Sequence, residues 1–244
     1  MTTRKTKTDK PKFYDLKAIL SKNADYNVIF GERSNGKTYA ALKYGLENYI
    51  KTGKQMAYIR RWREDLRGKR AESLFANHVA NGLIEELTEG KFNEVFYMSN
   101  KWFLSFYDAE KNKRTPDPTP FCYGFCLSEQ EHEKSSSYPN VTTIVFDEFL
   151  TRRYYLPDEF MLFMNLLSTI IRQRNDVKVF MLGNTVNKFC PYFTEMGLKQ
   201  VPFMEQGTID IYRFGELNTC LLELQIGGAL ANTAQSWRLS IAAR

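Results

Sequence analysis

The chain has 244 residues, 43% hydrophobic and 25% charged, a composition that excludes a wholly disordered or fibrous protein. Its 34 Lys and Arg exceed its 28 Asp and Glu by six, and the surplus is concentrated. Residues 1–12 carry five basic side chains against one acid, and residues 51–70 carry eight against two, so the rest is mildly acidic and a polyanionic partner is implied.

Residues 1–12, with Lys5 and Lys7, are polar and Thr-rich and read as a flexible basic arm. Order is expected from Phe13, with a short helix to about Leu20. Tyr26 to Phe30 is an apolar run ending at Gly31, the pattern of a buried strand. Ala41, Leu42, Leu46 and Tyr49 recur at helical spacing from Lys37, and Gly53 supplies a C-terminal stop. Met56 to Ile59 forms a second strand delivering Arg60 and Arg61. Ala71 to Leu87 reads as one helix. Val95–Met98 and Trp102–Tyr107 read as a hairpin around Ser99-Asn100-Lys101. Three prolines between Arg114 and Pro120 predict a loop, and Ser128–Ser137 predicts an exposed loop or short helix.

Thr142 to Phe146 is the clearest strand and runs into Asp147-Glu148. An amphipathic helix follows from Pro157 to Ile171, then a strand from Lys178 to Leu182 ended by Gly183-Asn184. Strands alternating with helices imply a mostly parallel α/β sheet. Residues 13–214 therefore read as one domain; 215–244 show no decisive period and read as a linker, the start of a further region, or a non-native tail. No apolar run reaches the roughly 18–20 residues of a membrane span, so no membrane partner is expected. The N-terminus lacks the apolar stretch of a secretion signal, and Cys122, Cys126, Cys190 and Cys220 are too scattered for a disulfide scaffold or zinc site. They read as reduced core thiols in a cytoplasmic protein.

Gly31-Glu32-Arg33-Ser34-Asn35-Gly36-Lys37-Thr38 satisfies the phosphate-loop pattern G-x-x-x-x-G-K-[ST] at every required position. Glycines let the backbone turn its N–H groups inward, and the helix N-terminus adds positive potential. Lys37 is placed to reach the β- and γ-phosphates of ATP, and the Thr38 hydroxyl to ligate Mg²⁺. Asp147, at a strand end, suits the same ion, and Glu148 suits a base that polarises water. No Asn-Lys-x-Asp guanine reader occurs, since Asn187-Lys188-Phe189-Cys190 has cysteine in the acid position. This favours ATP over GTP. Asn184 is a candidate contact to the attacking water, its other reading being a turn residue. Arg172 and Arg174, following a helix, suit either a charge-neutralising finger from a neighbouring subunit or a solvated helix end, and Arg33 could do that work within the chain. Tyr14 is a candidate adenine contact, and His78 and His132 read as surface residues.

The phosphate loop, Tyr58-Ile59-Arg60-Arg61-Trp62, Ser136 to Phe149, Arg172-Gln173-Arg174, Gly183-Asn184 and Asn187 to Phe193 together resemble the DNA-packaging ATPases of small podophages of the phi 29 group. The resemblance spans about residues 13–214. It implies a P-loop fold of the additional-strand, catalytic-glutamate class and an ATP-hydrolysing motor that drives double-stranded viral DNA into a preformed capsid in the host cytoplasm. It implies a homo-oligomeric ring, pentameric in that group, docked on a portal, with packaging RNA as a further candidate partner. By position it makes Arg172 the trans-acting finger and keeps Glu148 as base. Lys5, Lys7, Lys69 and Arg70 are the candidate DNA contacts, with Lys69 and Arg70 expected to lie away from the nucleotide. The competing readings are a nucleotide-binding structural component without turnover and a metabolic kinase.

Overall fold

In the computed structural model, which describes residues 14–31, 33–129, 136–184, 190–203, 209–214 and 218–225, the expected elements largely form, in sequence. Helix α1 (Lys17–Leu20) leads into strand β1 (Tyr26–Gly31), every residue of which is buried. Helix α2 (Lys37–Thr52) begins after Gly36 and stops at Gly53, whose left-handed φ of 72° lets its N–H return to the Tyr49 carbonyl. Strand β2 spans Gln55–Arg60.

The expected single helix over 71–87 is instead three short ones, α3 (Gly68–Glu72), α4 (Ala76–Ala80) and α5 (Leu83–Leu87). A 3₁₀ turn at Ser73–Phe75 separates the first two, and Gly82 at φ 71° turns the chain before the third. The hairpin forms as β3 (Glu94–Met98) and β4 (Lys101–Asp108). Ser99 and Asn100 join them with φ of 51° and 58°, the left-handed pair that matches strand twist. The proline-rich loop gives up its first residues to a strand, β5 (Lys113–Pro116), which pairs with β4 at the sheet margin, where a proline is tolerated. Cys122–Cys126 is strand β6. Strand β7 covers Val141–Asp147, helix α6 Glu159–Ile171, strand β8 Lys178–Asn184 and helix α7 Pro191–Glu195. Helix α6 starts later than expected because Asp158 adopts φ 50°. Strands β9 (Ile209–Phe214) and β10 (Asn218–Gln225) follow, so the stretch that shows no period from 215 contributes to the sheet.

The ten strands form one sheet of order β3-β4-β6-β2-β7-β8-β1-β10-β9, with β5 on β4. From β6 to β10 the neighbours are parallel; β3, β4, β5 and β9 are antiparallel at the margins. Period-2 alternation sends Val28, Ala57, Ile144 and Phe146 to a core shared with Phe163, Leu166 and Ile170 of α6 and Tyr192 of α7. The intervening Ile29, Met56, Tyr58 and Val145 pack with Ile19, Leu42, Leu46, Phe75 and Ile84 on the other face. Helices on both faces thus leave the C-terminal strand ends as the open side, where α/β sheets place ligands. Cys122, Cys126 and Cys190 are free and buried, as expected of core thiols. Among the described residues, no helix is long and apolar enough to cross a membrane.

Candidate functional site

Four adjacent strand ends bring the site together. Gly31 of β1 lies in register with Asn184 of β8, and Leu182 of β8 with Asp147 of β7. Phe146 of β7 pairs with Ile59 of β2, one residue before Arg60. The loop from β1 to α2 bends through Ser34 at φ 63° and Gly36 at φ 86°. Lys37, 5% exposed, donates to the Asn35 side-chain oxygen at 3.0 Å. The Thr38 hydroxyl donates to Asp147 Oδ1 at 3.1 Å, joining the loop to β7 across 109 residues of sequence.

Asp147 is the hub. Its Oδ1 also accepts the Glu148 N–H at 3.0 Å, and its Oδ2 accepts the Tyr58 hydroxyl at 3.0 Å, with Arg60 Nη1 3.6 Å away. Burial raises the Asp147 pKa, and Glu148 adds to that; Arg60 and the bonds from Tyr58 and Thr38 pull the other way. Burial and Asp147 push the Tyr58 hydroxyl well above its usual value, so it remains a donor. For Arg60, burial works against the charge, but Tyr58, Asp147, Glu148 and Asp65 outweigh it and raise the pKa. Glu148 adopts φ 57°, a conformation that costs energy for a residue with a side chain and that concentrates at functional sites. Its carboxylate, half exposed, is held by Arg60 Nη2 at 2.7 Å.

Two clefts, of about 510 and 490 Å³, share Asp147, Glu148 and Asn184. One holds Ser34 to Tyr39 with Asn77 of α4 and Asn81, which follows that helix. The other holds Gly31, Arg33, Arg60 and the exposed Arg152 and Arg153. Gly31, Arg33, Ser34, Asn35, Gly36, Lys37, Thr38, Asp147, Glu148 and Asn184 are thus assembled as the sequence suggests. Glu32, Lys5, Lys7 and His132 lie outside the described residues.

Other candidates fall elsewhere. Tyr14 is 6% exposed within the core and lines neither cleft; its N–H donates to the Asn35 carbonyl at 3.1 Å, docking the segment before α1 onto the loop. Arg172 and Arg174 lie at the opposite, N-terminal edge of the parallel strands. Arg174 donates to the Val141 carbonyl at 2.7 Å, at the start of β7, and Arg172 to the Ser136 carbonyl at 2.7 Å. The length of β7, about 20 Å, separates that edge from Asp147. Lys69 is exposed on α3, whereas Arg70 is not remote from the site: it pairs with Asp65 at 3.0 Å, and Asp65 with Arg60 at 3.4 Å. His78 is not a surface residue. It is 1% exposed, stacked on Tyr39 at 4.1 Å between centroids, with Nε2 3.0 Å from the Tyr39 carbonyl. Burial lowers its pKa to about 4, aided by Lys43 and opposed by the carbonyl bond.

The roles of Tyr58, Arg60 and Asp65 are not evident from motif spacing. The one signal is the i, i+2 placement of Tyr58 and Arg60, which puts both on the same side of β2.

The sequence profile described as podovirus DNA encapsidation protein (Gp16) matches residues 8–213. The DNA packaging proteins of Bacillus phages phi29 and PZA are each 30% identical over 219 residues, covering 88% of this chain and 57% of theirs. This chain therefore spans little more than half the length of those relatives. Among solved structures, the N-terminal domain of the DNA packaging ATPase from bacteriophage phi29 matches with a TM-score of 0.68 and 26% identity, covering 91% of this chain and 99% of that one. A chain of the bacteriophage Phi-29 viral genome packaging motor assembly matches at 0.65 with 28% identity, covering 87% and 57%.

Proposed function

The chain belongs to the podovirus DNA encapsidation protein (Gp16) family, and from that premise we propose that residues 13–214 form the ATPase domain of a viral DNA-packaging motor. The observation that carries this is the meeting of the loop and the acidic strand end, fixed by the 3.1 Å Thr38–Asp147 hydrogen bond with Glu148 alongside. The position of β8 between β1 and β7 supports the additional-strand P-loop class.

In this reading ATP lies along Gly31–Thr38, with Lys37 against the β- and γ-phosphates. Thr38 and Asp147 would hold Mg²⁺; a hydroxyl and a carboxylate are the hard oxygen donors that ion takes. When bound, the ion supplies positive charge to the phosphates. Glu148 acts as the general base, accepting a proton from the attacking water, and to do so its carboxylate must leave Arg60. Arg60, freed, stays within the charged cluster of Asp147 and Asp65. Asn184 orients the water from the end of β8.

Arg172 lies too far from its own cleft to act there, which supports action on the next subunit of a homo-oligomeric ring. The pentameric state, a portal, packaging RNA and double-stranded DNA are proposed partners. Arg152, Arg153 and Lys69 add exposed positive charge, and phosphate contacts from them would make DNA affinity fall with salt.

The test is phosphate release from ATP with and without double-stranded DNA. Hydrolysis stimulated by DNA is expected. Tight ATP binding with no release in either condition would instead support a structural component, and DNA-independent turnover a kinase-like enzyme.

A further inference from the structure

Directly behind the Glu148 turn lies a second charged cluster that phosphate chemistry does not use. Arg61, at the exit of β2, is 6% exposed, and its partner Glu159, the first residue of α6, is 2% exposed. Their contact is bidentate, with Nε 2.7 Å from Oε2 and Nη2 2.8 Å from Oε1. Glu159 also accepts the Tyr192 hydroxyl at 2.7 Å and the Leu156 N–H at 2.8 Å. The guanidinium lies 5.1 Å from the centroid of the Tyr155 ring. Two further donors go to backbone carbonyls, Nη1 to Glu148 at 3.1 Å and Nη2 to Phe149 at 2.7 Å.

Those two carbonyls belong to the turn in which Glu148 takes its left-handed conformation. From the other side, the Glu148 N–H is held by Asp147 Oδ1 and the Phe149 N–H by the Leu182 carbonyl at 3.1 Å. The turn is therefore gripped on its N–H side by β7 and β8 and on its carbonyl side by Arg61. A guanidinium alone can do this, because its fixed fork serves a carboxylate and two carbonyls at once. Stability gives no reason for such a cluster, since buried ion pairs are often replaced by apolar groups at no loss.

We propose that Arg61, held by Glu159 and Tyr192, is a positioning residue for Glu148, fixing the backbone turn that aims its carboxylate at the attacking water. The proposal rests on Glu148 being the base.

The decisive variant replaces the cluster with apolar side chains, Arg61→Met with Glu159→Leu and Tyr192→Phe. Arg61→Lys, which keeps the buried charge but loses the fork, is measured beside it in case the triple variant does not fold. Melting temperature, ATP affinity, KM and kcat are read for each, with Glu148→Gln as the control. A folded protein with a somewhat lowered melting temperature, since the Glu148 and Phe149 carbonyls lose their donor, wild-type ATP affinity, and kcat lowered about 30- to 100-fold is expected for the triple variant, the scale of loss from a small misplacement of a reacting group. Arg61→Lys should lose about 10-fold in kcat with KM unchanged. Wild-type kcat in either folded variant, beside an inactive Glu148→Gln, overturns the positioning role alone. Full turnover in Glu148→Gln overturns the catalytic reading itself, and this inference with it.

Discussion

At the scale of single residues, the site is a contest for two carboxylates. Burial raises the pKa of Asp147, and Arg60 with two hydroxyl donors opposes that shift. Arg60→Ala should therefore leave a poorly compensated buried acid, destabilising the fold by about 3 kcal/mol by urea denaturation, the low end for a broken buried pair. His78 makes a separate prediction. Its folded pKa of about 4 lies below the ordinary value of 6.5, so the stability it contributes is full above pH 6.5 and is lost as pH falls toward 4. Between pH 7 and pH 5 this one group accounts for a loss of about 2 kcal/mol. His78→Phe should flatten that part of the profile; an unchanged slope would contradict the assignment. Because His78 stacks on Tyr39, next to Thr38, acid should also weaken ATP binding, but only as pH falls to about 4, where the folded-state imidazole takes its proton.

Among elements, β7 and β8 matter through the segment that crosses between them. Gly183 lies under Phe149 and Leu150, and a Cβ there would come within 2.9 Å of both side chains. Gly183→Ala should force that segment outward, cost about 1–3 kcal/mol as overpacking does, and lower turnover by displacing Glu148. Wild-type melting and activity in that variant would show that the crossing is more plastic than its packing implies. The elements also show what a sequence can and cannot disclose. The β1–loop–α2 unit is legible because Gly31, Gly36, Lys37 and Thr38 occupy the four positions that the phosphate-loop pattern specifies, and β7 because an apolar β-branched run ends in two acids. Strand β5 is not legible, since Lys-Arg-Thr-Pro becomes a strand only where the β4 edge is offered to it. The break of 71–87 into three helices depends on packing around Phe75 and Trp102 that local periodicity does not reveal.

For the whole molecule, the two ends of the sheet carry different charged groups. The groups proposed to bind nucleotide gather at the C-terminal ends of β1, β2, β7 and β8, while Arg172 and Arg174 are fixed at the opposite end by backbone carbonyls. Two incomplete sites facing each other around a ring would each receive what they lack. Mixing Arg172→Ala subunits with Lys37→Ala subunits should restore part of the ATPase activity that either lacks alone; no recovery under assembling conditions would move the finger to Arg33, which lines its own chain's cleft. The excess of basic charge also resolves at this scale. Arg60, Arg61 and Arg70 are engaged with acids at or behind the candidate site, so part of the 51–70 surplus is neutralised within the protein rather than presented to a partner. None of these pairings was readable in advance, because Arg60 and Glu148 are 88 residues apart and meet only once β2 and β7 pair.

The central claim, that Glu148 beside the phosphate loop drives ATP hydrolysis, is tested most directly by measuring ATP binding and single-turnover hydrolysis in Glu148→Gln. The account predicts unchanged ATP affinity with hydrolysis slowed by about 100-fold or more, the loss expected of a general base. Hydrolysis at the wild-type rate would contradict it.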